Sequence, residues 1–320
     1  MNSILHNICA LGALVGIIVR GLISPVQAET EDKSLRVMSY NIHRGGVVML
    51  KQPLSQTAKA IQLAKADIVG IQETRSPRGD KLEELAKLLG WNHDMGKGSQ
   101  ILTRYEIVDS LYSGVKVKLD SGRPAYVFNV HLSSHPYQPY QLLEIRPRWH
   151  KHTNNITFIK TEAEAIEWAK KARGAEIAKV LRQIKSLPDK QAPIFVVGDF
   201  NEPSHLDWTE AAVKAGRHPI KVTYPTSTEM AKAGFTDAYR TIYPDEMKNP
   251  GYTWSSFYKF DDPTTHHDRI DFVYYKGKGI KLNEVKIVGE NRKDADIVIS
   301  PYPSDHRALV ADFKLPKKTK

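Results

Sequence analysis

The 320-residue chain carries 46 Lys and Arg against 36 Asp and Glu, a formal net charge of +10, and one cysteine. A single cysteine excludes a small domain held together by internal disulfides, and a chain of this length can bury enough apolar surface to fold without them. The sequence pI near 9.4 favours anionic partners such as nucleic acid, lipid head groups or wall polymers. No block of five like charges occurs, so a generally basic surface without specific meaning is the alternative.

The first 28 residues have the pattern of an export signal. Residues 8–19 form an apolar run that is too short to cross a bilayer, and Val26, Gln27 and Ala28 resemble a signal-peptidase site. Because Arg20 follows the run and little charge precedes it, an uncleaved anchor is the alternative. We predict a signal peptide over 1–28 and one domain over 29–320, secreted or periplasmic, monomeric and without a membrane span.

Hydrophobic periodicity predicts helices and strands in alternation through the first part of the chain. Period two indicates strands, and apolar positions three or four apart with polar caps indicate amphipathic helices. Consecutive strands with short turns are typical of a largely antiparallel sheet. The predicted strands are residues 35–41, 67–73, 99–104, 106–109, 115–119 and 125–131. The predicted helices are residues 55–66 and 80–89, the second with a capping box at Asp80 and Glu83.

Polar residues end three of these strands. Asn41 precedes a turn, where asparagine is common. Glu73 closes an apolar strand, and a carboxylate there needs a partner, either a nearby arginine (Arg75 or Arg78) or a metal ion. His131 ends the strand 125–131, where an imidazole could either contact a phosphate or make a structural hydrogen bond.

A second group of polar residues flanks the later strands. A helix is predicted over 161–184 with a capping box at Thr161 and Glu164, after a loop over 136–155 that is rich in aromatic and basic residues and lies beside the site. The buried strand that begins at Ile194 runs into Asp199 and Asn201, which period two places on one side. An ordinary turn is the alternative reading of these two residues.

The last two strands also begin at acidic or imidazole groups. Asp268 and Asp271 lie at the entry to an apolar strand, and Asp305 and His306 lie just before the closing strand. Polar side chains at so many strand ends predict a single site that contains oxygen ligands and imidazoles. Such a set, without cysteine, favours Mg²⁺ or Mn²⁺ over structural zinc. The residues concerned are Asn41, Glu73, His131, Asp199, Asn201, Asp271, Asp305 and His306.

Short motifs in family order make the chain resemble the endonuclease/exonuclease/phosphatase superfamily, the deoxyribonuclease I-like fold. They span residues 35 to 313 and are Ser-Tyr-Asn41, Gly-Ile-Gln-Glu73, Ile-Leu-Thr-Arg104, Asn-Val-His131, Gly-Asp199-Phe-Asn201, Gly-Phe-Thr-Asp237, Tyr-Thr-Trp254, Arg-Ile-Asp271 and Ser-Asp305-His306. The resemblance implies an α/β (α+β) fold: a four-layer sandwich of two packed, mostly antiparallel sheets flanked by helices, with the site at one rim.

The resemblance also implies a metal site and contacts to phosphate. Glu73 would be the chief ligand of Mg²⁺ or Mn²⁺, assisted by Asn41 and Asp305. The ion would polarise the scissile phosphate and offset charge on the leaving oxygen. Asn201 would hold a phosphate oxygen, and His131 would stabilise the pentacovalent phosphate or protonate the departing alkoxide.

A general base is the third implied component. His306, oriented by Asp271, would deprotonate the attacking water that Asp199 positions. In some relatives the partner of the histidine is instead the aspartate that corresponds to Asp268, so both aspartates are candidates.

The resemblance leaves the substrate open, because one fold hosts several activities. An exported phosphodiesterase of the nuclease type, acting on a phosphodiester such as nucleic acid, is the first hypothesis. A sphingomyelinase or a phospholipid or inositol-phosphate hydrolase is the second, although the sequence has no long hydrophobic hairpin for membrane insertion. A non-catalytic binder of anionic polymers on the same fold is the third.

Overall fold

The computed structural model describes residues 34–48, 51–95, 100–147 and 156–316. The predicted signal peptide over 1–28 lies outside these residues. None of the helices in the described part of the chain is long and apolar enough to cross a membrane.

The strands belong to two large sheets and one small hairpin. Most begin or end within a few residues of the sequence prediction, because their buried residues are apolar on at least one face. In chain order they are β1 (Leu35–Asn41), β2 (Ile68–Gln72), β3 (Arg75–Ser76), β4 (Gly79–Asp80), β5 (Asn92–Asp94), β6 (Ile101–Thr103), β7 (Glu106–Ser110), β8 (Gly114–Lys118), β9 (Pro124–His131), β10 (Ile194–Asp199), β11 (Thr236–Asp237), β12 (Asp271–Lys276), β13 (Lys281–Gly289), β14 (Ile297–Val298) and β15 (Ala308–Lys314).

Eight α-helices lie within the described residues. They are α1 (Leu54–Leu63), α2 (Leu82–Leu89), α3 (Gln138–Leu142), α4 (Glu162–Ala169), α5 (Ala175–Lys185), α6 (Glu210–Lys214), α7 (Pro225–Lys232) and α8 (Ala238–Ile242). A 3-10 turn, Arg44–Gly46, follows β1.

The sheet order shows how distant parts of the chain meet. One sheet has seven strands in the order β14-β13-β15-β1-β2-β6-β5, and the other has six in the order β11-β12-β10-β9-β8-β7. Antiparallel pairs predominate in both, but β1 pairs with β2, β9 with β10 and β13 with β14 in parallel. Strand β15 lies between β13 and β1, so the beginning and the end of the described chain are neighbours in one sheet.

Apolar side chains from both sheets form the central core. Val37 of β1, Val127 of β9 and Val197 of β10 belong to one buried cluster. The sheets approach closely at Gly70 of β2, where a Cβ atom would lie 2.3 Å from a methyl group of Val197. Helices α1 and α2 pack on the outer face of the first sheet, and α5 and α7 pack on that of the second. The predicted four-layer sandwich of two packed, mostly antiparallel sheets flanked by helices is therefore confirmed.

The two predicted capping boxes have different outcomes. The capping box of Thr161 and Glu164 is confirmed, with both reciprocal hydrogen bonds present. The predicted box at Asp80 is wrong, because α2 has Lys81 at its N-cap; Asp80 instead accepts a hydrogen bond from the backbone of Leu82.

The segment between β9 and β10 differs in two further ways. A π-helical turn, Lys170–Gly174, separates α4 from α5 within the helix that the sequence predicted as continuous. The predicted loop over 136–155 contains α3, and its residues 148–155 lie outside the described part of the chain. A helix as short as α3 gives too little periodicity to be recognised from sequence.

Candidate active site

Three paired strands place an imidazole and two carboxylates side by side. In the six-stranded sheet, the Cα register aligns Asp199 of β10 with His131 of β9 on one side and with Asp271 of β12 on the other. Residues that are directly opposite each other in a sheet point to the same face. The strand pairing alone therefore brings together three of the residues that the sequence singled out.

The seven-stranded sheet contributes Asn41 and Glu73. Asn41 ends β1, and Glu73 follows β2 with a left-handed φ of 58°. The amide nitrogen of Asn41 donates to Oε1 of Glu73 at 3.1 Å and to Oδ2 of Asp199 at 2.9 Å. Its amide oxygen accepts from the backbone N–H of His43 at 3.0 Å. Asn41 thus bridges the two sheets and presents nitrogen, not oxygen, to the carboxylates, so in this arrangement it positions Glu73.

His306 lies between the carboxylates of the second sheet. It is buried just before β15, with Nδ1 at 2.9 Å from Oδ2 of Asp271 and Nε2 at 3.8 Å from Oδ2 of Asp199. A hydrogen bond from Nδ1 to a carboxylate fixes the tautomer in which Nε2 is free to accept a proton. The geometry is therefore that of a base held by Asp271.

Asp268 has a different environment from Asp271, although only two residues separate them. Its Oδ2 accepts from the hydroxyl of Tyr137 at 2.7 Å, and its Oδ1 accepts from Nε1 of Trp208 at 2.9 Å. Of the two aspartates proposed as the partner of His306, the structure places Asp271 in contact with its ring and turns Asp268 towards other groups.

His131 and Asn201 lie on the other side of Asp199. Nε2 of His131 is 3.6 Å from Oδ2 of Asp199, and the imidazole is 40% exposed. The side-chain nitrogen of Asn201 donates to the carbonyl oxygen of Leu132 at 2.9 Å, and its backbone N–H donates to Oδ1 of Asp199 at 2.9 Å. One oxygen of Asp199 therefore faces an imidazole on each side, while Asn201 secures the other oxygen.

Asp305 pairs with a histidine that the sequence did not select. Its Oδ2 is 2.9 Å from Nδ1 of His43, and its Oδ1 is buried with no hydrogen-bond partner among the described residues. Burial tends to raise the pKa of Asp305, but the hydrogen bond from His43 and the charge of His306 together lower the pKa below its usual value. Asp305 is therefore a carboxylate that remains ionised inside the protein and has an oxygen free for a cation.

These residues surround one cavity of about 250 Å³. Glu73 and His306, which come from different sheets, both line it, as expected if they act on the same substrate. Asn41, Asp271 and Asp268 support the wall from behind. The residues that line the cavity are His43, Glu73, His131, Ser134, His135, Tyr137, Tyr140, Asp199, Asn201, Trp254, Ile270, Asp305 and His306.

The aromatic part of the wall comes from residues that the sequence did not select as site residues. Tyr137 and Tyr140 belong to the aromatic segment that the sequence placed beside the site, and Trp254 lies 4.8 Å from the ring of His306 between centroids. His43 follows Asn41 by two residues and could have been selected for its closeness to a strand end. Nothing in sequence spacing relates Trp254 to His306, because their contact is made through an isolated backbone bridge.

The charges around His306 determine its protonation. Burial alone would lower the pKa of this imidazole, but the carboxylates of Asp271 and Asp199 outweigh burial and raise the pKa well above its usual value. In the absence of other ions the two carboxylates therefore favour the protonated ring. A divalent cation near Glu73 and Asp305 would oppose this effect and favour the neutral ring.

The oxygen atoms at the Glu73 side of the cavity fit a hard divalent cation. Glu73 and Asp305 offer carboxylates, Oδ1 of Asp305 has no partner among the described residues, and Asp199 lies next to them through Asn41. Oxygen-only ligand sets suit Mg²⁺ and Mn²⁺. The predicted identity of the ion and the predicted role of each residue remain predictions.

The chain is similar to known proteins in sequence and in fold. A model of the Endonuclease/Exonuclease/phosphatase family matches residues 38–306. The Caenorhabditis elegans "Uncharacterized protein F14F9.5" is 30% identical over 303 residues, which are 87% of this chain and 91% of that protein.

Solved structures share the fold at low sequence identity. An AP endonuclease from Archaeoglobus fulgidus is 14% identical, with a TM-score of 0.53 over 88% of this chain and 100% of that one. TDP2 from D. rerio, complexed with single-strand DNA product, is 18% identical, with a TM-score of 0.50 over 89% of this chain and 100% of that one. Similarity at this level concerns the fold.

Proposed function

Since the family model matches residues 38–306, the chain belongs to the endonuclease/exonuclease/phosphatase family, and we propose that it is a divalent-metal-dependent phosphodiesterase. The observation that carries the proposal is the position of Oδ2 of Asp199, with Nε2 of His131 at 3.6 Å and Nε2 of His306 at 3.8 Å in the cavity that Glu73 also lines. Members of this family generally hydrolyse phosphodiesters with the help of divalent metals.

In the proposed reaction His306 is the general base. Its Nε2 takes a proton from the attacking water, while Asp271 holds Nδ1–H and stabilises the imidazolium that forms. Asp199, whose Oδ2 lies 3.8 Å from Nε2 of His306, would orient the same water. This arrangement needs Asp271 to remain in contact with His306 throughout, which the burial of both residues favours.

His131 acts on the side of Asp199 opposite His306. Its exposed Nε2 can donate a proton to the departing alkoxide or stabilise charge on the phosphorane. Asn201 keeps Asp199 in place through its backbone N–H, and the second hydrogen of its amide can reach a phosphate oxygen. The imidazoles of His306 and His131, one on each side of Asp199, thus divide the roles of base and acid.

Glu73 and Asp305 are the residues that would hold the metal ion. When bound there, Mg²⁺ or Mn²⁺ polarises the phosphate and offsets negative charge on the leaving oxygen. Asn41 fixes Glu73, and His43 fixes Asp305, so both carboxylates have a defined orientation before a cation arrives.

Nucleic acid is the substrate class that we propose first. The net charge of +10 favours a polyanion, and the similar TDP2 structure from D. rerio contains single-strand DNA product. We also propose that the protein is exported, because residues 1–28 have the pattern of a signal peptide.

The test is a comparison of substrates and metals. Purified protein is incubated with plasmid DNA, RNA, sphingomyelin and bis-p-nitrophenyl phosphate, in Mg²⁺, Mn²⁺ or chelator. We expect cleavage of bis-p-nitrophenyl phosphate and nicking of plasmid, both stopped by chelator. Release of choline phosphate instead would select a sphingomyelinase, and binding of DNA without any cleavage would contradict the enzymatic proposal.

A further inference from the structure

A second cluster of imidazole and carboxylate groups lies behind the wall of the active-site cavity. Nδ1 of His218 is 3.3 Å from Nε2 of His266, and the latter is 3.8 Å from Oδ1 of Asp268. All three atoms lie within 4.8 Å of one another. These residues come from two separated stretches of the chain, so only the fold brings them together.

We propose that His218, His266 and Asp268 form a binding site for a divalent transition-metal ion of the Zn²⁺ type. Zinc with bonds of roughly 2.0–2.1 Å in tetrahedral geometry separates its ligand atoms by about 3.3 Å. The two distances that join His266 to its neighbours are close to that value, at 3.3 and 3.8 Å. Two imidazoles and a carboxylate form a ligand set that zinc adopts and Mg²⁺ avoids.

The surrounding groups hold the three ligands in this orientation. Trp208 stacks on the ring of His218 with centroids 4.1 Å apart and planes 10° apart, and its Nε1 also donates to Oδ1 of Asp268. The hydroxyl of Tyr137 donates to Oδ2 of Asp268. Each carboxylate oxygen has two lone pairs, so Oδ1 can accept from Trp208 and still bind a cation. Such outer hydrogen bonds are typical of metal sites.

The charge of Asp268 is the second observation that indicates a cation. This carboxylate is 3% exposed, and Tyr137 and Trp208 give it only neutral donors. Among the residues that the structure describes, no lysine or arginine forms an ion pair with it, and His266 is its single basic neighbour within ion-pair range. A buried carboxylate requires a compensating charge. A metal ion supplies that charge while both imidazoles remain neutral, which also suits His218, whose pKa burial lowers to about 4.

Binding of an ion at this site would affect the cavity. The side chain of His266 is 20% exposed, so this ligand meets solvent, and a water molecule would be the fourth ligand. Asp268 would connect the ion to Tyr137, whose ring lines the active-site cavity. The proposed ion therefore anchors the aromatic wall from outside the cavity, since none of its three ligands lines that cavity.

The test measures metal binding and is independent of enzymatic activity. Chelator-treated full-length protein is titrated with Co²⁺ and Zn²⁺, followed by Co²⁺ absorption and by metal analysis after dialysis. We expect one Zn²⁺ retained at this site per chain and the visible spectrum of tetrahedral Co²⁺. His218→Gln and His266→Gln should each weaken binding by more than about 100-fold, and Trp208→Phe by about 10–100-fold.

Control variants separate this site from the active site and from surface binding. His93→Gln removes an exposed imidazole, and Glu73→Gln alters the proposed Mg²⁺ site; both should keep the tetrahedral Co²⁺ spectrum. X-ray absorption at the zinc edge of unmodified protein should show two imidazole ligands, and this measurement needs no variant to fold. Absence of metal uptake, or a spectrum unchanged in both His218→Gln and His266→Gln, would overturn the proposal.

Discussion

Two His–Asp clusters lie close together in this fold and differ in what surrounds their imidazoles. His306 faces two carboxylates, Asp271 and Asp199, and its pKa is raised by them in spite of burial. His218 faces another imidazole and one carboxylate, and burial lowers its pKa to about 4. The first environment suits a group that gains and loses a proton, and the second suits a permanently neutral ligand. The presence of His and Asp side chains alone therefore does not define the role of a site. The number of carboxylates near each imidazole determines which role it suits.

The largest expected effect comes from removing the base of the first cluster. His306→Ala should lower kcat by about 10²–10⁴-fold, because proton transfer by a positioned base contributes that much. Initial rates with bis-p-nitrophenyl phosphate in Mg²⁺ measure the loss, and circular dichroism checks that the variant is folded. His93→Ala, an exposed imidazole, is the matched control. Equal rates in the two variants would refute the role of His306.

Removal of the active-site cation should come next in size. A metal ion that stabilises a phosphoryl transition state contributes several kcal/mol, so chelation should lower the rate by about 10³-fold. Glu73→Gln should raise the Mg²⁺ concentration needed for half-maximal activity, whereas Glu106→Gln, at an exposed position, should leave it unchanged. Metal titrations of the initial rate test this, and an identical Mg²⁺ requirement in both variants would contradict Glu73 as a ligand.

Asp271 and Asp268 offer the sharpest separation between the two clusters. Asp271→Asn should lower kcat by about 10²-fold, because an amide cannot stabilise the imidazolium of His306. Asp268→Asn should change kcat by less than about tenfold, because its carboxylate contacts Tyr137 and Trp208 and not His306. It should instead abolish tetrahedral Co²⁺ binding, because the substitution removes the proposed carboxylate ligand. Measurements of kcat and of Co²⁺ absorption on both variants test these two expectations. The reverse pattern would exchange the roles of the two aspartates.

The smallest effect is a difference in titration between the two histidines. In metal-free protein, ¹⁵N NMR of the imidazoles should show His306 still protonated at neutral pH and His218 neutral until about pH 4. The two pKa shifts affect the stability of the fold in opposite directions as the pH changes. The raised pKa of His306 stabilises the fold below about pH 6.5, and this contribution is lost as the pH rises through the folded-state pKa. The lowered pKa of His218 destabilises the fold as the pH falls from about 6.5 towards 4. His306→Gln and His218→Gln assign the signals, and a neutral His306 at pH 6 would contradict the arrangement of charges.

The sequence was most informative where a polar residue ends an apolar strand. Asp199 and His131 were predicted to share a site because both close such strands, and the parallel pairing of β9 and β10 aligns them. Thr161 was identified as a cap because the capping box is a local pattern within four residues. In these cases the information lies in neighbouring residues or in a repeated period.

Contacts between distant segments could not be derived in the same way. His218 lies 48 residues before His266, in a stretch without regular periodicity, so no spacing relates them. The choice between Asp268 and Asp271 depends on whether each side chain precedes or belongs to β12, a boundary that sequence patterns locate poorly. The turn Lys170–Gly174 was missed because its residues are compatible with an ordinary α-helix.

The placement of β15 between β13 and β1 has a consequence for biosynthesis. His306 immediately precedes this strand, which is the last one that the structure describes and yet occupies an interior position in its sheet. A growing chain therefore completes the surroundings of its proposed base only after β15 has been synthesised and inserted between β13 and β1. We therefore expect polypeptide that has not yet inserted β15 to be inactive.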